Sequence, residues 1–167
     1  MNIIFLDVDG VLNSLAYFEQ LGIGGKQSGF NDINDYNLQM LSNLYHKVNA
    51  KIVLSSTWRY LDDPKEVDTY PMYKYLIMEL SRYNMEIIDK TPVISGNRPL
   101  EIKTWSVKHN CKTFISLDDD FHINDYNNYN IGFNLVNTKY FTHNIEDGGL
   151  QLRHVNEAIR KFKLMSI

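Results

Sequence analysis

Short, almost unbroken apolar runs separated by stretches of helical periodicity constrain this fold more than any other feature. The runs are Asn2–Leu6 (NIIFL), Lys51–Leu54 (KIVL), Met85–Asp89 (MEIID), Thr113–Leu117 (TFISL) and Ile131–Val136 (IGFNLV). A strand that is apolar at consecutive positions must be covered on both faces, which is the signature of a buried parallel strand. Between the runs, apolar residues recur at helical spacing. They are Leu38, Leu41, Leu44, Tyr45 and Val48, then Met72, Tyr75, Leu76, Leu80 and Tyr83 in a helix opened by Pro71, then Ile102, Trp105 and Ser106 within Leu100–His109. Leu150–Leu164 reads as a closing amphipathic helix. The stretch from 14 to 34, with Gly22, Gly24, Gly25 and Gly29, reads as an irregular loop opened by a short helix. This alternation predicts an α/β fold, a Rossmann-like three-layer sandwich around a central, mostly parallel sheet. With 167 residues and no linker, residues 1–167 read as a single domain.

The ends of those runs carry the chemistry. The first strand runs directly into Asp7-Val8-Asp9-Gly10, the second into Ser55-Ser56-Thr57-Trp58-Arg59 and a later one into Asp118-Asp119-Asp120. In an open parallel sheet, ligands bind beyond the carboxyl ends of the strands. Three or four carboxylates, two hydroxyls and the cations Arg98 and Lys103 therefore converge on one edge. Carboxylates brought close together repel, and an oxygen-only cluster of this kind suits Mg²⁺. Strand alternation places Asp7 and Asp9 on one side, so that one can act as nucleophile and the other as general acid and base. Gly10 permits the sharp turn and close approach to a ligand.

Composition narrows the partners. The formal charge of −3 argues against a broadly basic surface that coats nucleic acid, although not against a local basic pocket. The lone Cys111 excludes an internal disulfide and reads as a reduced thiol. No run has membrane-spanning length and the N-terminus has no signal-like segment, so the expectation is a cytoplasmic protein with no membrane partner. Asparagine is abundant, and this reads as compositional bias. Neither the five histidines nor the "AIRKFK" segment shows a metal-ligand or nucleic-acid pattern.

The motifs and their order resemble the haloacid dehalogenase (HAD) superfamily of phosphatases and phosphotransferases. "FLDVDGVLN" is similar to its first motif, "KIVLSS" to its second and "FISLDDD" to its acidic fourth, while "GNRPLEIKTW" occupies the place of the third. The resemblance implies that Asp7 forms an aspartyl-phosphate and that Asp9 protonates the leaving group and then activates water. It implies that Mg²⁺ binds Asp7, the backbone carbonyl of Asp9 and Asp119, with Asp118 close by. Ser55 would hold the phosphoryl group, with Ser56, Arg59 and Gly10 beside the substrate. The third motif usually supplies a lysine; here Arg98 stands at the helix start and Lys103 about a turn later, and Arg98 is the favoured cation. "LSSTWR", Arg98 to Trp105 and "GGLQLRHVNEAI" are most similar to the small HAD domains of the Swiss Army Knife RNA-repair type, inferred to process phosphorylated ends.

The intervals 14–50 and 59–97 hold too little for a cap domain. An open site of this kind suits a phosphate at an RNA or DNA end, with Trp58, Arg59, Tyr17 and Phe18 placed to stack or grip. A small-metabolite phosphatase and a catalytically silent binding module are the alternatives. Asp120 reads as a solvated turn residue, and Trp58 and Trp105 as walls or core.

Overall fold

The structure, a computed structural model, describes residues 1–22 and 32–166. Gly24, Gly25 and Gly29, with the rest of 23–31, lie outside the described residues. Five strands, β1 (Asn2–Leu6), β2 (Ala50–Leu54), β3 (Ile87–Lys90), β4 (Thr113–Asp118) and β5 (Leu135–Asn137), form one sheet in the order β3-β2-β1-β4-β5. Every pairing is parallel, so the sheet is wholly and not merely mostly parallel.

Side-chain alternation sorts the strands onto two cores. Ile4, Leu6, Ile52, Leu54, Ile115 and Leu117 face one way, against α2 (Asp35–Lys47), α3 (Tyr70–Ser81) and α6 (Leu152–Met165). Ile3, Phe5, Val53 and Phe114 face the other, against α4 (Arg98–Lys108) and α5 (Ile123–Asn127), where Phe5 meets Trp105 and Phe114 edge-to-face at 5.4 and 5.3 Å. Two helical layers thus enclose the sheet, as the apolar runs require.

The asparagine surplus has a structural cause. Asn49, Asn84, Asn110 and Asn130 all have left-handed backbones, with φ between 48° and 58°, and follow the ends of α2, α3, α4 and α5. Asparagine tolerates that conformation better than other side chains apart from glycine, and so terminates helices. Asn34 and Asn97 also cap helix starts, accepting from the Tyr36 and Leu100 amides at 2.9 and 3.2 Å. Much of what reads as bias is helix punctuation.

One expectation changes. Ile131–Val136 is not a strand throughout: Gly132–Asn134 is a 3-10 turn, and only Leu135–Asn137 pairs with β4. The polar "INDYN" after β4 folds as the short α5, which buries only Tyr126 among its own residues. The short helix expected before the 22–29 glycines is α1 (Leu15–Gln20), capped by Ser14. Between 59 and 97 the chain forms the 3-10 turn Thr57–Leu61, α3 and β3, with no inserted domain. None of the helices in the described residues is long and apolar enough to cross a membrane.

Candidate active site

Register brings the site together. Leu6 of β1 pairs with Leu54 of β2 and Leu117 of β4, so Asp7, Ser55 and Asp118 form a row at the carboxyl edge. The row is tied by Asp7 N–H to the Leu117 carbonyl (3.1 Å) and Ser55 N–H to the Leu6 carbonyl (2.9 Å). Alternation continues past the strand ends, so Asp7 follows Ile3 and Phe5, and Asp118 follows Phe114 and Ser116, onto the α4 side of the sheet. There Arg98, at the start of α4, donates through Nη1 to Asp7 Oδ2 and to Asp118 Oδ1, the latter at 2.9 Å. Of the two candidate cations, Arg98 is the one that reaches the carboxylates. Lys103, five residues on, sits about 140° round the helix and about 7 Å along it; it lines a cavity with Cys111 and Phe114, at the opposite end of β4. The structure does not bring Lys103 to the site.

Asp118 is fully buried. Its Oδ2 accepts from the Tyr126 hydroxyl at 2.9 Å, and its Oδ1 accepts from the Asp120 amide at 3.0 Å as well as from Arg98. The Ser116 hydroxyl completes the chain at 2.8 Å from Tyr126. With both oxygens committed, Asp118 positions Arg98. The carboxylates free to converge are Asp7, Asp119 and Asp120, each offering an oxygen within 4.8 Å of the others. Asp120 thus belongs with the cluster and is not simply a solvated turn residue. Gly10 explains how Asp119 comes so close: its φ is +73°, and a Cβ there would lie 2.0 Å from the Asp119 carboxyl carbon.

The electrostatics of this cluster are those of a cation site. Burial, partly offset by Arg98 and reinforced by Asp118, pushes the Asp7 carboxyl up to about 7. Burial and the neighbouring Asp120, Asp7 and Asp118 push Asp119 up to about 8. Three carboxylates cannot all ionise so close together without a compensating charge beyond Arg98. Hard oxygen donors in this number fit Mg²⁺, which commonly takes one or two carboxylates and completes its shell with water and substrate phosphate.

Asp9 is held on the other side of the turn. Trp58, buried in the 3-10 turn after β2, donates its indole N–H to Asp9 Oδ2 at 3.0 Å, and the Asn13 amide donates to Oδ1 at 3.0 Å. Asn13 also accepts from Gly10 N–H at 2.9 Å and donates to the Asp32 carbonyl at 2.8 Å, so one fully buried side chain braces the whole turn. Neither contact is evident in the sequence; the only local signal for Asn13 is its place four residues after Asp9. Trp58→Phe removes the indole donor while keeping an aromatic ring. The expected outcome is a fall in kcat of about 10- to 100-fold, the cost of a slightly misplaced catalytic group, with KM little changed.

The two serines divide their work. The Ser56 hydroxyl hydrogen-bonds the Asp7 carboxylate and accepts from the Trp58 amide at 3.3 Å. Ser55, expected to take the phosphoryl group, lies in the edge row with its hydroxyl buried and without a hydrogen-bond partner among the described residues. The serine that touches Asp7 is Ser56. Arg59 does not face a substrate: its guanidinium is bonded to Glu101 Oε2 (2.8 Å) and to the carbonyls of Ser55 (2.7 Å) and Ser56 (3.2 Å). Trp105 donates to Asp89 at 2.7 Å. The polar groups of Trp58, Arg59 and Trp105 are thus bonded within the protein, to Asp9, Glu101 and Asp89.

A family model described as the HAD domain in Swiss Army Knife RNA repair proteins matches residues 3–143. At the level of the superfamily this supports HAD-type phosphatase chemistry. No curated protein and no solved structure gives a match.

Proposed function

We propose, since the chain belongs to the HAD domains of the Swiss Army Knife RNA repair type, that it is a Mg²⁺-dependent phosphomonoesterase acting on the phosphorylated ends of nucleic acids. The observation that carries this is the edge row itself: a buried carboxylate, Asp7, fixed by Arg98 and Ser56 beside the Asp119 and Asp120 carboxylates, with Asp9 oriented by Trp58 and Asn13. Asp7 attacks phosphorus through one carboxylate oxygen, forming an acyl phosphate as the ester P–O bond breaks. Asp9 gives its proton to the departing oxygen. Asp9 then takes a proton from water, whose oxygen attacks the same phosphorus and frees Asp7 and inorganic phosphate. Arg98 and the Ser56 hydroxyl lie where they can hold the phosphoryl oxygens as negative charge shifts. Asp7, Asp119 and Asp120 would hold Mg²⁺, which supplies charge compensation for the phosphoryl group.

The lack of any inserted domain among the described residues leaves the edge open, which favours a polymer end over an enclosed metabolite. A reducing, cytoplasmic setting suits the single thiol. Phosphate release with Mg²⁺ from oligonucleotides bearing a 5′- or 3′-phosphate, beside mononucleotides, sugar phosphates and a phosphopeptide, tests the substrate. Faster release from one oligonucleotide end supports the reading. Equal rates across all small esters would replace it with a metabolite phosphatase.

Metal binding has its own readout. Saturating Mg²⁺ at about 100 times its Kd stabilises by about 2.7 kcal/mol, which for a domain of this size is a rise in Tm of roughly 5–10 °C. Asp119→Asn should abolish most of that rise without lowering the Tm of the metal-free protein. An undiminished Mg²⁺ shift in that variant would place the ion elsewhere.

A further inference from the structure

Among the described residues, cavities lie on both sides of the acidic cluster, and cations line one of these two. On the side of Arg98, a cavity of about 260 Å³ is lined by Phe121, Asn97 and Tyr129, and its one charged side chain is Asp125. On the other side, beyond the ends of β4 and β5, a cavity of about 430 Å³ begins at Asp119 itself and runs past Thr138, Lys139 and Phe141 to Arg153 at the start of α6. Lys139 is exposed and makes no ion pair among the described residues. Arg153 donates to the Glu146 and Asp147 carbonyls at 3.0 and 3.3 Å and pairs with the Asp147 carboxylate at 3.3 Å, yet keeps about half of its side chain in solvent. Phe141 is 77% exposed, an unusual expense of apolar surface beside two cations. The Thr138 hydroxyl, on the same wall, is buried and has no hydrogen-bond partner among the described residues.

We propose that this cavity is the subsite for the nucleotides adjoining the terminal phosphate. Lys139 and Arg153 contact internucleotide phosphates, and Phe141 offers its face to a base. This rests on the phosphomonoesterase reading above and names where its polymer lies. Charge complementarity selects a polyanion in a protein whose net charge is −3, and the exposed ring beside the cations selects single-stranded nucleic acid over an acidic peptide. Cations that track the backbone combined with aromatic stacking are how sequence-tolerant single-strand sites are built. Continuity with Asp119 means that a chain end placed at Asp7 can enter the cavity without crossing the cation-poor side.

The test is direct binding, independent of turnover. Fluorescence anisotropy follows a fluorescein-labelled single-stranded octanucleotide with a terminal phosphate, bound to full-length protein across a salt series. The variants are Lys139→Ala with Arg153→Ala, Lys139→Ala alone and Phe141→Ala; Lys112→Ala, at the opposite end of β4, is the control. Lys139→Ala alone covers the case in which losing Arg153 loosens the start of α6. The double variant should bind at least tenfold more weakly. Its log K against log salt slope should shrink by about 1.4, two phosphate contacts at about 0.7 each for single strands. Lys139→Ala should lose about half of that slope, and Phe141→Ala should weaken binding with the slope kept. Slopes unchanged from wild type, or equal displacement of the oligonucleotide by an acidic phosphopeptide, would overturn the subsite. The two readings fail separately. Absence of Asp7-dependent phosphate release with the salt slopes as stated removes the enzyme and keeps the subsite; release with unchanged slopes does the reverse.

Discussion

Asp7→Asn lowers phosphate release by about 10⁴-fold or more, the scale on which removal of a nucleophile is felt, and leaves a folded protein. The amide cannot form an acyl phosphate, so the loss falls on kcat. The fold survives because Arg98 retains Asp118 as a full ion-pair partner at 2.9 Å, while the single asparagine oxygen can accept from the Val8 amide or from Arg98 but not from both. Removing one charge also relieves Asp119, whose high carboxyl pKa is due in part to Asp7. The metal-free variant should therefore melt no lower than wild type. An inactive variant that also fails to fold would shift the role of Asp7 from chemistry to architecture.

Glu101→Ala has the largest expected effect on stability. The Arg59–Glu101 pair has side chains only 5% and 1% exposed. Glu101 also accepts from the Ile94 amide at 2.8 Å, so it pins the loop after β3 to α4. Its removal leaves a buried guanidinium whose remaining partners are the Tyr60 hydroxyl and the carbonyls of Ser55 and Ser56. Breaking a buried pair from one side costs about 3–5 kcal/mol, a large part of the stability of a domain this size. Urea unfolding should show that loss at an unchanged m-value, and Glu101→Gln, which can still accept from Ile94, should lose less. A change below about 1 kcal/mol would mean that water reaches Arg59. Activity should fall in these variants too, because Arg59 holds the carbonyls of the two serines beside Asp7.

The site was legible in the sequence wherever strand geometry alone decides position. Parallel strands in register present equivalent positions at one edge, so the residues that follow the paired Leu6 and Leu117 fall together there, and these are Asp7 and Asp118. Helical rotation likewise separates Arg98 from Lys103 once the start of α4 is fixed. What sequence could not reach were contacts that cross the chain without a period. The Trp58 indole meets Asp9 across 49 positions, and Arg59 meets Glu101 across 42. Arg59 is the clearest case: adjacent to Trp58, it turns inward to hold strand-end carbonyls. The division between Asp118 and Asp120 was equally hidden, since it depends on Tyr126 arriving from α5, a helix formed from residues whose polar composition suggests a turn. Ser56 rather than Ser55 reaches Asp7, at the point where the chain leaves the strand after Leu54 and begins a 3-10 turn capped by Ser56.

The central claim is that Asp7 carries the phosphoryl group, and trapping tests it most directly. Wild-type protein turning over an oligonucleotide with a radiolabelled terminal phosphate and Mg²⁺ is quenched in acid, digested, and its labelled peptide sequenced. Label stable to acid, released by hydroxylamine, confined to the peptide containing Asp7 and missing from Asp7→Asn is the predicted result. Continued phosphate release with no protein-bound label, or label on any other residue, would contradict the account.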